Sequence, residues 1–377
     1  MSASTAAYPT QGPDEFTWLR SRKWDLTWIT LSVALVAAPY LTYLGILRLE
    51  TFLQPVAASF GTTVDSLARN FINAFVGLVV GGPHMYATFT RTALDRDFAR
   101  QHPRFLWSSL WVPVVVVTGA LLNLSLLLTF FFFWASVHVL HQIVYILDLY
   151  NHRQKTGLTR FSRLSDYAVV LTALYPLAVW KIVNHSFMIG SNDLGSVIAT
   201  IVPLGNWMIW LAGGVFGLAL ATWAVKSFQE YRQGVLNRPK TLFIALTAGA
   251  SFFVPALGNL DTAFQGMNVW HSLQYLALTW MLNNLRQERG ELEASPFVER
   301  LSDDGSARRY YWFNILLTLG DVVLAGVIYV VLRTLLRLPF DAAFDRAYYI
   351  AILSFLWIHY YHDHYLFSKP QVIEGPA

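Results

Sequence analysis

Apolar residues come in ten long runs, each closed by a short polar or basic segment. A run of about 20 such residues matches the ~30 Å hydrocarbon core of a bilayer when wound as a helix. The pattern therefore predicts an all-α, polytopic integral membrane helical bundle of about ten transmembrane helices. The expected spans are residues 24–47, 67–90, two between 105 and 150 that turn near 119–123, then 167–183, 206–225, 241–257, 260–286, 311–335 and 342–367. Residues 1–23 and 368–377 are expected as cytosolic tails around a single transmembrane domain, 24–367. Residues 287–309 form the longest polar connection.

Composition strengthens this reading. Of 377 residues, 55% are hydrophobic and 13% charged, and mean hydropathy is +0.42, which is the range of polytopic membrane chains. The net charge of +4 is modest. Lys and Arg concentrate in alternate loops, as orientation in a membrane requires, which predicts both termini inside and no nucleic-acid partner. The polar first 18 residues lack an apolar core followed by a cleavage site, so no secretory signal peptide is expected. Aromatic residues are expected in interfacial belts and on lipid-facing surfaces. There is no cysteine, which excludes disulfides, thiolate metal sites, iron–sulfur clusters and cysteine nucleophiles. Any metal must be held by nitrogen and oxygen.

Candidate chemistry lies with the ten histidines. His102 and His152 fall in basic loops and His185 in a polar loop with Asn192 and Asp193, positions that solvate an imidazole. Seven fall inside expected spans: His84, His138, His141, His271, His359, His362 and His364. Polar groups at membrane depth are costly and usually functional. His138/His141 and His359/His362 are i, i+3 pairs, the spacing by which a helix presents two ligands to one centre. Counting ~1.5 Å per residue from the inner ends places His84 roughly 10 Å, His141 roughly 15 Å, His362 about 7 Å and His271 roughly 20 Å deep. That spread allows most of these imidazoles to meet in one layer in the inner half of the membrane. His364, near the inner interface, is expected to face solvent or headgroups. Asp363 and Asp148 supply candidate carboxylate ligands or orienters, and Tyr145 and Gln274 candidate hydrogen-bond partners. Several imidazoles with a carboxylate and no sulfur suit iron, zinc, copper or manganese. No HExxH segment marks a hydrolytic zinc site.

Three short segments resemble the Brp/Blh family of membrane β-carotene dioxygenases: Pro83–His84 in an early span, a histidine in a following apolar block, and WHSLQY from Trp270 to Tyr275. The resemblance implies an iron centre held by histidines. The chain departs from the family in having Met85 where a glycine follows the first histidine, Val139 or Gln142 after the second, and Tyr275 in place of the last. A four-histidine site then calls on His359 or His362. HVLHQ (His138 to Gln142) and HYYHDH (His359 to His364) also resemble the histidine boxes of membrane desaturases and hydroxylases, although no HxxxH box accompanies them.

The expectation is a membrane metalloenzyme with one or two non-haem iron ions, liganded from His84, His138, His141, His271, His359, His362 and Asp363, with Tyr145, Asp148 and Gln274 in support. It would oxidise an apolar, membrane-soluble lipid, isoprenoid or carotenoid with dioxygen, drawing where needed on an electron-donor protein. The rival readings are a b-type haem electron carrier, a His/Asp relay transporter, and a pigment-binding assembly factor.

Overall fold

In the computed structural model, which describes residues 18–154, 158–184, 186–189, 192–303 and 307–373, nearly every apolar run is helix. The long helices are α1 (Arg22–Leu47), α2 (residues 64–91), α3 (Pro103–Leu122), α4 (Leu124–Arg153), α5 (Arg160–Val183), α6 (Asn206–Arg232), α7 (Arg238–Ala256), α8 (Leu260–Glu288), α9 (Ala307–Thr334) and α10 (Phe340–Leu366). Seven of them, all but α2, α8 and α10, are long and apolar enough to cross a membrane. The other three carry many buried polar side chains, most densely on α8, which lowers their hydropathy without exposing them. The expected polar loop after α5 contains an antiparallel pairing of Met188–Ile189 with Asn192–Asp193 and a helix, Leu194–Ile201. His185 and residues 1–17 lie outside the described residues. The long connection after α8 folds a further helix at Pro296–Ser302.

Polarity is arranged inside out. On α6 only Ala219, Lys226 and Glu230 are buried, while Trp210 and Leu218 are 81% and 71% exposed. On α8 the buried set includes Asp261, Gln265, His271, Ser272, Gln274, Tyr275 and Asn283. An apolar exterior around a polar interior is the distribution that a lipid solvent selects. Two glycines set the spacing of the central helices. A Cβ on Gly266 would sit 2.0 Å from the Val36 carbonyl oxygen, and one on Gly82 would sit 2.2 Å from Thr318. Close α1–α8 and α2–α9 contact thus depends on the missing side chains.

Helix α2 is irregular where it matters. Residues 77–81 form a π-turn, followed at once by Pro83. Proline has no N–H to give the carbonyl four residues back, and the Val79 carbonyl accepts instead from the Tyr311 hydroxyl at 2.6 Å. The Gly81 carbonyl accepts from His84 Nδ1. The backbone irregularity is thereby satisfied, and one of its carbonyls orients a site residue. At the far ends of α4–α7, Asp166 pairs with Lys226 at 2.8 Å and with Lys240 at 2.9 Å. Lys226 also pairs with Glu230 at 2.9 Å, and Lys240 donates to Asn151 at 3.0 Å. This buried network ties the otherwise sparsely packed α6 to the bundle.

Candidate metal centre

Four helices each bring one imidazole to a common point. His84 arrives from α2 just after the π-turn, His138 from the middle of α4, His271 from α8 and His359 from α10. All four are buried, at 2%, 4%, 4% and 0% exposure. Their ring centroids form a closed circuit: His84 to His271 at 5.1 Å, His271 to His138 at 4.9 Å, His138 to His359 at 4.9 Å and His359 to His84 at 4.7 Å. Asp363, one helical turn beyond His359, completes the group. Its Oδ2 lies 3.5 Å from His359 Nε2 and 3.8 Å from His138 Nε2.

His84, His359 and Asp363 are each hydrogen-bonded on the side away from the common point and unpaired on the side that faces it. Thr88 Oγ1 lies 2.6 Å from the Tyr275 hydroxyl and 3.1 Å from Asp363 Oδ1; with its one proton given to either, its oxygen accepts from His359 Nδ1–H. Tyr275 donates to the same Asp363 oxygen at 2.5 Å. Ser272 donates to Asn268 at 3.0 Å, and its oxygen lies 2.9 Å from His84 Nδ1. These contacts assign the Nδ1–H tautomer to His84 and His359 and leave each Nε2 lone pair free. Nε2 of His84, His138 and His359, both nitrogens of His271, and Oδ2 of Asp363 have no hydrogen-bond partner. Leaving so many buried acceptors unpaired at one point is expensive. A cation at this point would resolve it, and orientation of metal-binding histidines through the second ring nitrogen is the usual accompaniment.

The spacing fits an ion. Metal–nitrogen bonds of about 2.0–2.1 Å put neighbouring ligand atoms about 3 Å apart and opposed ones about 4 Å apart. The potential ligand atoms of His84, His271 and His359, and those of His138, His359 and Asp363, lie within 4.8 Å of one another in each set. Both sets use His359, whose Nδ1 is occupied by Thr88. A single free nitrogen can serve only one ion, so the two sets could not both be filled at once through His359. All the ligand atoms are nitrogen or oxygen, as the cysteine-free sequence requires.

The other sequence candidates lie apart from this point. His141, half-buried, packs against His364 at 5.4 Å and Phe367 at 5.2 Å. His362 bonds Thr92 through Nδ1 at 3.1 Å and packs beside Phe105 at 5.1 Å. Asp148 accepts from Tyr167. Gln274 donates to the Ile29 carbonyl at 2.5 Å and accepts from Gln142 at 3.3 Å, a link among α1, α4 and α8. Tyr145 is buried and stacks on Phe367 at 4.8 Å, and Phe367 in turn lies 6.0 Å from His138. Each i, i+3 pair therefore contributes only its first histidine, because three residues rotate a side chain about 60° around the helix from its neighbour. Thr88 and Ser272 support the centre without any sequence signal to separate them from ordinary intrahelical hydroxyls. Tyr275 occupies the turn after His271 and bonds Asp363, where the Brp/Blh pattern has a histidine.

No protein-family model, curated protein or solved structure matches the chain.

Proposed function

We propose that this chain is a ten-span integral membrane metalloenzyme with one non-haem iron ion, which oxidises an apolar, membrane-soluble substrate with dioxygen. The observation that carries the metal is the convergence of unpaired buried atoms from His84, His138, His271, His359 and Asp363. Residues 64–91, α8 and α10 supply the three spans beyond the seven apolar ones, with both chain ends on the inner side, as the distribution of Lys and Arg favours. The nitrogen-rich donor set suits iron alongside zinc and copper, and what favours iron among them is the apolar surround, which offers a hydrolase no polar substrate. When bound, iron supplies the activation of dioxygen that inert C–H and C=C bonds require. Close edge-to-face packing of the four rings favours a bare ion over haem.

The protein's own residues would hold and orient the centre. Gly81 and Ser272 fix His84, Thr88 fixes His359, and Tyr275 with Thr88 holds one Asp363 oxygen so that the other faces the ion. Insertion of both oxygen atoms into substrate needs no outside electrons. Insertion of one needs two electrons and two protons from a donor, with release of water. The test is incubation of iron-loaded protein, in membranes containing isoprenoid lipids, with ¹⁸O₂. Label in a lipid product for the wild type and none for His138→Ala supports the reading. Equal label in both, or none in the wild type, refutes it.

A further inference from the structure

An apolar chamber of ≈ 290 Å³ lies among α4, α5, α7, α8, the start of α6 and the Leu194–Ile201 helix, walled among others by Phe132, Val139, Ala178, Met208, Phe264 and Met267. Among the described residues no charged side chain lines it, and its Ser136 hydroxyl already donates to the Phe133 carbonyl. A second, narrower cavity of ≈ 60 Å³ is lined by His84 and His271. The two share three walls, Phe132, Val139 and Phe264.

Helical register explains why they meet. Phe131 precedes His138 by seven residues and Phe264 precedes His271 by seven. Seven residues are two turns, about 10 Å along the axis and back on the same face. An aromatic layer therefore stands two turns from the imidazole layer, with Phe264 packed against Phe132 at 4.7 Å and Phe131 at 5.8 Å. On the far side of that layer the chamber opens toward the outer surface of the bundle, where its wall residue Phe133 is 48% exposed. Phenylalanine side chains turn on two torsions and can swing without breaking any hydrogen bond.

We propose that the chamber is the binding site for the hydrocarbon chain of the substrate, entered laterally from the lipid, and that Phe132 and Phe264 form the neck through which the chain reaches the histidine centre. The neck's role rests on the reading of that centre as the reactive site; the chamber as a chain-binding site does not. A pocket of this size and lining falls near the lower end of small-molecule sites, about 300–1,000 Å³. Among the described residues no charged side chain lines it and its side-chain polar groups are confined to the hydroxyls of Ser136 and Tyr175, which favours a largely apolar chain as the occupant.

The test uses the full chain in detergent with cis-parinaric acid as a fluorescent hydrocarbon probe, with zinc or cobalt added as the metal. Ala178→Trp fills the chamber, and Val215→Trp on the lipid-facing side of α6 controls for general partitioning. Saturable binding is expected in the wild type and in Val215→Trp, weakened by about tenfold or more in Ala178→Trp, with metal content the same in all three. Probe fluorescence is expected to be quenched by cobalt relative to zinc. Binding that is absent, or equally strong in Ala178→Trp, overturns the chamber. Chamber-dependent binding without cobalt quenching overturns the neck's link to the centre. A protein that binds the probe in the chamber but no metal overturns the reading of the centre and leaves the chamber standing.

Discussion

Thr88→Val separates a metal centre from a merely packed cluster of histidines. The substitution keeps shape and removes one hydroxyl, which accepts from His359 Nδ1 and lies 3.1 Å from Asp363 Oδ1. Asp363 keeps Tyr275, at 2.5 Å, but His359 loses the partner that sets its tautomer. Two effects follow. The buried imidazole N–H is left unpaired, which costs about 1–3 kcal/mol of folding stability. Loss of an orienting partner behind a metal-binding histidine weakens metal affinity about 10–100-fold, or about 1.4–2.7 kcal/mol. The assay is a competition titration of metal against a chelator of known affinity, with thermal unfolding in detergent run alongside in the presence and absence of metal. Destabilisation of the metal-free protein with unchanged metal affinity would show that Thr88 serves packing alone, and would refute the orientation argument.

Removal of the ion by chelation is expected to lower the unfolding temperature, because an ion at about 100 times its dissociation constant adds about 2.7 kcal/mol; identical melting curves with and without chelator contradict this. Tyr275→Phe, which deletes a hydroxyl bonded to the carboxylate of Asp363, is expected to weaken metal affinity about 10–100-fold in the same titration while leaving Thr88 to hold the same oxygen. Asp166→Ala removes the carboxylate shared by the buried Lys226 and Lys240, leaving them only Glu230 and Asn151, and should destabilise the fold by up to about 3–5 kcal/mol without altering metal stoichiometry; melting and metal analysis on one preparation check both halves. Gly266→Val drives a side chain into the Val36 carbonyl and should abolish the monodisperse folded peak in size exclusion, whereas Gly213→Val on α6, where a Cβ meets nothing, should preserve it.

Much of the helical organisation is legible in the chain because lipid imposes a crude rule: about 20 apolar residues, then a charged break. Helix α4 is read almost whole, and its turn at Asn123 is marked by a residue whose side chain caps the next helix at Leu126. Helix α2 begins earlier than expected, at Val64, because two amphipathic turns capped by Thr63 carry Asp65 and Arg69. A hydropathy reading discards such turns. The histidines are legible as a group but not as individuals. His138 and His141 are chemically alike and differ only in which neighbour their helix face meets, a property of packing that spacing cannot supply. Asp148 and Asp363 look equivalent along the chain, yet Tyr167 satisfies the first, while the second has one oxygen turned toward two imidazoles. Thr88 could be found only once α2 and α10 were seen side by side. The aromatic residues divide in the same way: Trp107 and Trp210 lie on the exterior, at 71% and 81% exposure, whereas Phe132 and Phe264 line the cavities beside the histidines.

The most direct test of a single shared centre is metal stoichiometry in four alanine variants of the full-length protein, purified without chelators and supplied with ferrous iron under anaerobic conditions. The wild type, His141→Ala and His362→Ala are expected to retain about one iron per chain, the number that one shared His359 nitrogen permits. His138→Ala and His359→Ala are expected to retain little or none, while still eluting as folded protein. Iron absent from the wild type, or lost equally from all four variants, would contradict the assignment of His84, His138, His271, His359 and Asp363 to a metal.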